Sequence, residues 1–232
     1  MPPNLRAGVL FDVDGTLFDT NYLHTLTWSR AFADAGEWAP MNSIHRLVGM
    51  GSDRLVVELL GHESPAAVAA RPRRYKELIA EARPFPGAAD LLRLCHRNRL
   101  SVVIATSAVS EELDALLTKL EADDAIDAQT TADDIDEPKP DPEVFLKAME
   151  AGGIDPRRAI AVGDSVWDVK AARAAGIACI GVESGGYSEH ELSEDGALHV
   201  YRDVKELFEQ LYTSPLALLL EGPSSPTPDP SR

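Results

Sequence analysis

The sequence predicts an α/β fold, in which a doubly wound, Rossmann-like parallel sheet carries an all-helical cap domain inserted after the first strand. Two observations lead to this prediction. From residue 88 onward, apolar runs typical of buried strands alternate with helical patterns, and strands separated by helices pair in parallel. Between residues 18 and 82 only helical patterns occur, and this block directly follows the first strand, at residues 7–12.

The helices of the insertion are predicted from apolar residues at helical spacing. Ser64 and Pro65 supply an N-cap and a first helical residue for the last of them. Pro72 is expected to interrupt that helix, because proline lacks the backbone donor that a helix interior needs. The predicted helices of the insertion span residues 20–36, 42–48, 53–60 and 65–81.

The same reasoning predicts the elements of the core. The predicted strands span residues 101–105, 159–162 and 177–181, with a weak candidate at 125–130. The predicted helices span residues 88–98, 110–120, 142–151, 165–175 and 203–212. Asp203 and Glu206 have the spacing of a capping box at the start of the last one.

These elements divide the chain into two domains and a tail. The core comprises residues 1–17 and 84–212, and the cap comprises residues 18–83. Residues 213–232 are predicted to be a disordered tail, because the end of the chain is rich in proline and serine. Within it, Leu216–Leu220 either pack as a short helix or only tether the tail.

Composition excludes several classes of function. The chain has 232 residues, 44% of them hydrophobic, and a formal net charge of -16. Such a charge repels nucleic acid and anionic lipid, so neither is an expected partner. A small anionic substrate stays possible if a bound metal or a local group of cations reverses the field. Monomer and homodimer are equally compatible with the sequence.

The sequence also favours a cytoplasmic protein. No segment at its start resembles a signal peptide, and its apolar runs are too short to span a membrane. Cys95 and Cys179 lie far apart, each within an apolar segment, which is typical of buried free thiols in a reducing compartment.

Asp12 and Asp14 follow the first strand directly, and the chain then turns at Gly15. Open α/β sheets bind ligands at the carboxyl ends of their strands, so both carboxylates can converge on one pocket there. Two carboxylates in such proximity repel each other unless a cation or a shared proton intervenes. The alternative is a strand followed by an ordinary surface Asp-Gly turn.

Three further groups of polar residues follow predicted strands or lie in rigid loops. Thr106 and Ser107 come after the strand at 101–105, where hydroxyls can donate to an anion, or one of them is an ordinary N-cap. Lys139 stands between two prolines, which suits a fixed phosphate ligand, although a solvated loop lysine is the alternative. Asp164 and Asp168 lie on either side of a predicted helix start. The alternative for Asp168 is an ordinary acidic residue that stabilises the helix dipole.

Together the four aspartates Asp12, Asp14, Asp164 and Asp168 form a set of oxygen ligands. Such a set favours Mg²⁺, and no spacing of cysteine and histidine in the sequence suggests zinc. A magnesium ion, a lysine and hydroxyl donors around a carboxylate suit the transfer of a phosphoryl group, because they neutralise the charge that repels an anionic nucleophile from a phosphate.

The order of these motifs resembles the haloacid dehalogenase superfamily. The four motifs are Asp12-x-Asp14-Gly15-Thr16, then Thr106, then Lys139, then Gly163-Asp164-x-x-x-Asp168. The resemblance covers residues 7–212, with the helical insertion where that family carries its cap. Residues 162–176 are especially similar to the phosphoglycolate phosphatase and β-phosphoglucomutase-like branch.

The resemblance implies roles for the two aspartates of the first motif. Asp12 would attack phosphorus and form an aspartyl-phosphate. Asp14 would protonate the leaving oxygen and then take a proton from the hydrolytic water, so the first step needs Asp12 ionised and Asp14 protonated. Mg²⁺ would be held by Asp12, the backbone carbonyl of Asp14, and Asp164.

The remaining motif residues would hold the phosphoryl group. Thr106, Ser107 and Lys139 would bind it, although Ser107 stands where relatives commonly carry asparagine. Asp168 would orient a metal-bound water or Lys139.

The cap is expected to select the substrate and to exclude water when it closes, with hinges near residues 17–20 and 83–87. The segment 45–54 resembles the specificity loop of the family. Arg46, Gly49 and Arg54 are therefore candidate specificity residues, and the alternative is that both arginines are surface residues. His24, in the first cap helix, is expected to pack or to lie on the surface.

The predicted function is a Mg²⁺-dependent phosphatase of a small phosphomonoester, of the phosphoglycolate or sugar phosphate type. Asp14 and Asp164 favour a phosphatase over a dehalogenase, which by the resemblance needs neither a general acid there nor Mg²⁺. One alternative is a phosphomutase of the β-phosphoglucomutase type. The other is a catalytically idle protein that binds a phosphorylated ligand.

Overall fold

A central parallel sheet organises the protein in the computed structural model, which describes residues 5–220. Within these residues the sheet has six strands in the order β5-β4-β1-β6-β7-β8. Its strands are β1 (Arg6–Phe11), β4 (Ser101–Ala105), β5 (Ala128–Thr130), β6 (Ile154–Gly163), β7 (Ala178–Val182) and β8 (His199–Tyr201). Two short strands, β2 (Phe18–Asp19) and β3 (Arg83–Pro84), form a separate antiparallel ribbon.

Ten α-helices accompany the strands in the described part of the chain. The cap contains α1 (Asn21–Asp34), α2 (Met41–Leu47), α3 (Ser52–Leu60) and α4 (Pro65–Lys76). The core contains α5 (Ala88–Arg97), α6 (Ser110–Leu120), α7 (Glu143–Gly152), α8 (Val166–Ala174), α9 (Glu189–Asp195) and α10 (Val204–Glu209). The strand β8 and the helix α9 have no counterpart in the sequence-based prediction.

Helices cover both faces of the sheet, as the doubly wound prediction requires. Side chains alternate along a strand, so Val9 and Phe11 of β1 enter one apolar core, and Leu10 enters the other. The first core is completed by α5, α6 and α10, and the second by α7, α8 and α9. Burial on both faces explains why the strands appear as continuous apolar runs in the sequence.

The strand β1 lies at the centre of the sheet, between β4 and β6. Its last residue, Phe11, pairs with Ile104 on one side and with Val162 on the other. The carboxyl ends of three strands therefore meet at one edge, at the point where the strand order reverses. This is the position at which open α/β sheets bind ligands.

The cap has an apolar core of its own, built around Trp28, Phe32, Ile44 and Leu55. The expected interruption at Pro72 is wrong, because α4 continues through it to Lys76. The turn beyond Pro72 is held by burial of Tyr75, whose ring stacks on His24 at a centroid distance of 4.4 Å.

Two strands connect the cap to the core. One of them, β2, lies within residues 18–82, where the sequence indicated only helices, and β3 directly follows that block. Phe18 pairs with Pro84 and Asp19 with Arg83, so the two crossings of the chain are hydrogen-bonded to each other. The backbone N–H of Phe85 also donates to the carbonyl of Leu17. This ribbon occupies both positions expected for the hinges.

The expectation that residues 213–220 belong to a disordered tail is wrong. Ser214 caps a 3₁₀ helix at Pro215–Leu219, and Leu216 and Leu219 are buried in the core beside β1. Apolar burial therefore extends the core domain to at least residue 220, and residues 221–232 lie outside the described part of the chain.

Two other expectations can be compared with the fold. Cys95 and Cys179 are free and buried, as predicted. No helix within residues 5–220 combines the length and the apolar character needed to cross a membrane.

Candidate active site

Asp12 and Lys139 form a buried ion pair at the carboxyl end of β1. The Nζ atom of Lys139 lies 2.5 Å from Oδ1 of Asp12 and 2.8 Å from Oδ1 of Asp168. It also donates to the carbonyl of Ala105, at the end of β4. Only 1% of the lysine side chain is exposed. A cation so buried must be paired, and here two carboxylates pair with it.

The start of α8 fixes the orientation of Asp168. Ser165 is the N-cap, and its hydroxyl and backbone N–H both donate to Oδ2 of Asp168, at 2.5 and 3.2 Å. A Cβ on Gly163 would lie 2.4 Å from the Cβ of Asp168, so only glycine permits this approach. The capping box thus leaves Oδ1 of Asp168 directed at Lys139.

Asp164 lies in a cradle formed by the core and the cap. Nδ2 of Asn21, from the first turn of α1, donates to Oδ2 of Asp164 at 2.8 Å, and the hydroxyl of Thr16 lies 3.3 Å from Oδ1. A Cβ on Gly15 or on Gly185 would lie 2.3 or 1.6 Å from Oδ2. The cap therefore contributes a direct contact to an acidic residue of the core.

The acidic cluster has the composition of a site for a hard divalent cation. Asp12, Asp164 and Asp168 each place a carboxylate oxygen within 4.8 Å of the others. Each of the three already has a polar partner, since Lys139 contacts Asp12 and Asp168, and Asn21 contacts Asp164. Oxygen donors of this kind fit Mg²⁺.

The carboxylate of Asp14 lies outside this cluster and faces the cap. Its Oδ1 accepts a hydrogen bond from the Thr20 hydroxyl at 2.6 Å and lies 2.8 Å from Nε2 of His24. Burial by itself would raise its pKa, but the contacts with His24 and Thr20, with the nearby charge of Arg71, lower the pKa to about 2. With this pKa Asp14 is ionised at neutral pH, whereas its expected role as an acid needs the protonated form.

A chain of contacts leads from Asp14 through the cap. Nη2 of Arg71 lies 3.2 Å from Nδ1 of His24, and Nη1 of Arg71 donates to the carboxylate of Glu112 in the core helix α6. Because the guanidinium only donates, Nδ1 of His24 accepts and Nε2 carries the proton that is directed at Asp14.

These contacts include residues that the sequence reasoning missed. His24, expected only to pack or to lie on the surface, both packs on Tyr75 and contacts Asp14. Its signal in the sequence is slight: Asn21 and His24 are polar residues three positions apart, on the first turn of a helix that closely follows the aspartates.

The pKa of Asp12 is raised to about 7. Burial is the largest cause, and the charges of Asp168 and Asp14 add to it, while Lys139 opposes them. The pKa of Asp164 is also raised, mainly by burial and then by the charges of Asp168 and Asp12. Too many carboxylates share one lysine for all of them to ionise easily, so the cluster has a deficit of positive charge.

Thr106 and Ser107 follow β4 and border the same space, as the sequence predicts. Oγ1 of Thr106 accepts from the backbone N–H of Ala108 at 3.1 Å, so its own proton is available to a ligand. Oγ of Ser107 is buried and has no hydrogen-bond partner. Both hydroxyls are thus unsatisfied donors next to Asp12, which suits an anionic ligand.

A cavity of about 70 Å³ lies between these residues and the cap. Its core side contains Asp12, Asp14, Thr106 and Ser107. Its cap side contains His24, Trp28, Gly49, Leu55 and Arg71, with other residues of the segment 48–52. Gly49, one of the candidate specificity residues, therefore borders this cavity, with a φ of 94° that favours glycine.

The two arginines predicted to select the substrate lie elsewhere. Arg46 pairs with Glu191 at 2.5 Å and stacks over the ring of Tyr187. Arg54 pairs with Glu137 at 3.0 Å and borders a separate cavity of about 780 Å³. Neither borders the space above Asp12, because acidic residues of the core attract both to the rim of the cap. The cavity arginine is Arg71.

Comparisons with known proteins agree with this geometry. The phosphoglycolate phosphatase of Rhodospirillum rubrum is 30% identical over 218 residues, which cover 88% of this chain and 90% of that protein. The fructose-1-phosphate phosphatase YqaB of Escherichia coli is 28% identical over 182 residues, which cover 76% of this chain and 96% of that protein.

The fold is shared with a solved structure of similar size. A hydrolase from Pseudomonas syringae has a TM-score of 0.84 and 31% identity, covering 90% of this chain and 99% of that one. The model of the haloacid dehalogenase-like hydrolase family matches residues 7–176. This segment includes the four aspartates, Lys139 and the whole cap. The chain is therefore a member of the haloacid dehalogenase-like hydrolase family.

Proposed function

We propose that the protein is a Mg²⁺-dependent phosphatase that hydrolyses a small phosphomonoester through an aspartyl-phosphate on Asp12. The observation that carries the proposal is the pairing of a buried nucleophile with a buried cation: Lys139 contacts Asp12 at 2.5 Å, beside two unsatisfied hydroxyls. A carboxylate held against a cation, under donors for an anion, suits attack on a phosphoryl group.

The proposed reaction uses Asp12 and Asp14 in turn. A carboxylate oxygen of Asp12 attacks phosphorus, and the bond from phosphorus to the ester oxygen breaks. Asp14 gives its proton to that oxygen, then takes a proton from the water that cleaves the aspartyl-phosphate. Lys139, Thr106 and Ser107 hold the phosphoryl oxygens.

The pKa values of the two carboxyls run opposite to this need, at about 7 for Asp12 and about 2 for Asp14. A cation beside Asp12 would lower the pKa of that carboxyl, and a phosphate dianion beside Asp14 would raise the pKa of the other. Substrate and cation binding would thus bring each carboxyl toward its reactive form.

Asp12 and Asp164 would hold Mg²⁺ with the backbone carbonyl of Asp14. The ion, when bound, supplies positive charge to a cluster that has too little of it. Asp168 keeps Lys139 in place through the helix cap at Ser165.

The first test measures phosphate release from a panel of small phosphate esters, with Mg²⁺ and with EDTA. We expect release only with Mg²⁺, and Asp164→Asn should raise the Mg²⁺ concentration for half-maximal activity at least about tenfold. Asp136→Asn, which changes an exposed carboxylate outside the cluster, is the matched control and should behave as wild type.

Release that persists in EDTA would refute the metal dependence. No release from any ester by folded protein would favour the phosphomutase, which is detected as isomerisation of a sugar phosphate primed with its bisphosphate. Absence of both activities would favour the idle binding protein.

A second prediction concerns stability and pH. Asp12 binds its proton more tightly in the folded state, where its pKa is about 7 against an ordinary value of 3.8. The folded protein therefore holds more protons than the unfolded chain between these values, and its stability falls as the pH rises through this window. We expect the melting temperature in EDTA to be lower at about pH 8 than at about pH 5.

Mg²⁺ should raise the melting temperature more at the higher pH, because carboxylates must lose their protons to bind the ion. In Asp12→Asn the decrease with pH should be smaller, since one of the groups responsible is gone. A melting temperature in EDTA that rises across this window would contradict the assignment.

We further propose a cytoplasmic location and a small phosphorylated metabolite as the ligand. The buried free thiols support the location, because free thiols do not suit an oxidising compartment. The net charge of -16 supports a small ligand, because an acidic protein repels a polyanionic partner.

A further inference from the structure

We propose that Glu112 makes this enzyme selective for phosphate esters whose leaving group carries no negative charge. The inference rests on the proposed phosphatase function and concerns the substrate class of the same site. The similarity to relatives leaves the point open, because the glycolate released from phosphoglycolate is charged and the fructose released from fructose 1-phosphate is neutral.

A charged leaving group needs a cation on the cap side of the cavity. Among the described residues that border this cavity, Arg71 is the one with a permanently cationic side chain. The cap side of this cavity also contains the apolar side chains of Trp28, Val48 and Leu55, and His24 contacts Arg71 directly. Arg46 and Arg54, the other arginines expected here, pair with Glu191 and Glu137 away from it. Arg71 is therefore the residue that would have to bind a negatively charged leaving group.

The charge of Arg71 is already neutralised by Glu112. The guanidinium donates through Nη1 to Oε1 of the glutamate, and the two side chains are only 15% and 10% exposed. Charges interact strongly when so little water screens them, and neither partner can be removed from a buried pair cheaply. A carboxylate or a phosphate would have to displace Glu112 to use this cation.

The other groups that face Arg71 strengthen the argument. Asp14 is close enough for the arginine charge to lower its pKa, and the face of the Tyr75 ring lies 5.0 Å from the guanidinium. His24 lies between Arg71 and Asp14, and Asp14 is protonated in the proposed reaction, so Glu112 is the carboxylate that balances the charge of Arg71. A second anion therefore finds no net positive charge to attract it there, whereas a neutral group needs none.

One polar atom of a residue that borders the cavity suits a neutral, hydroxyl-bearing group. Nε of Arg71 is buried and has no hydrogen-bond partner. A hydroxyl of the leaving group can accept from this N–H without adding charge.

The test compares two esters of nearly equal size, phosphoglycolate and 2-hydroxyethyl phosphate, which differ in a carboxylate and a hydroxymethyl group. We expect the wild type to have the higher kcat/KM for 2-hydroxyethyl phosphate. Glu112→Gln keeps an acceptor for Arg71 but removes the charge, and should shift the ratio of kcat/KM toward phosphoglycolate by roughly tenfold.

Glu111→Gln is the matched control, because it removes the same charge from the neighbouring position of α6. The Glu111 side chain is 84% exposed and pairs with Lys76 at the surface. This variant should leave the ratio within about twofold of wild type, because water screens its charge.

Wild-type preference for phosphoglycolate would overturn the inference, and so would an unchanged ratio in active Glu112→Gln. Equal loss on both esters would show a purely structural role for Glu112 and would also overturn the inference.

If Glu112→Gln does not fold, Arg71→Gln is the second variant. A selective loss of kcat/KM on phosphoglycolate would show that Arg71 binds an anion and would refute the inference, whereas equal changes on both esters would support it. Release from neither ester by folded wild type would instead contradict the proposed function.

Discussion

Replacing Asp12 by asparagine is expected to reduce phosphate release by at least about 10⁴-fold, because the amide has almost no nucleophilicity toward phosphorus. The variant keeps the size of the side chain and one acceptor for Lys139, so substrate binding should change far less than kcat. The measurement is kcat and KM on the best ester of the panel, together with trapping of a phosphorylated protein by acid quench.

Asp19→Asn is the control for this substitution. Asp19 is an exposed acid on the ribbon a few residues later, and its loss should leave kcat unchanged. We expect phosphorylated protein from wild type and from this control, and none from Asp12→Asn. A variant of Asp12 that keeps a tenth of the activity, or more, would show that another group attacks phosphorus.

Replacing Lys139 by methionine is expected to destabilise the metal-free protein by about 3–5 kcal/mol at neutral or higher pH, because it leaves buried carboxylates without their cation. The lysine contacts both Asp12 and Asp168, and all three side chains are more than nine-tenths buried. The measurement is the free energy of unfolding in urea. Activity should also fall, since the group that faces the phosphoryl oxygens is lost.

Lys147→Met, at an exposed position on α7, is the matched control and should change stability by less than about 0.5 kcal/mol. The double variant Asp12→Asn with Lys139→Met should cost less than the sum of the single changes, because each removes a partner of the other. Additive costs would show that the two side chains do not interact in solution.

The alternation of strands and helices, and the polar residues at the ends of the strands, were predictable because both depend on local pattern. The strand at 101–105 and the helix at 110–120 have the predicted bounds, since apolar periodicity there is uninterrupted. Asp12, Thr106 and Asp164 each follow a strand directly. The carboxyl ends of parallel strands share one edge, so the pattern already places these residues together.

Lys139 shows the limit of prediction from local sequence pattern. Its two flanking prolines indicate a rigid loop, but not that its side chain would reach the end of β1 and be buried there. The tail shows the same limit. Leu216 and Leu219 are buried because they pack into an apolar cluster with residues of β1, which no nearby residue in the sequence reveals.

The sequence by itself determined the α/β core, the inserted cap and the positions of the aspartates, because strand and helix periods and turn residues act over a few positions. The tertiary structure alone decided which cap residues meet the core. Arg46 and Arg54 point to acids at the rim, whereas His24 and Arg71 reach Asp14 and join Glu112 across the domain boundary. The docking of one domain on another depends on surface shape and charge summed over distant segments, so sequence spacing cannot predict it.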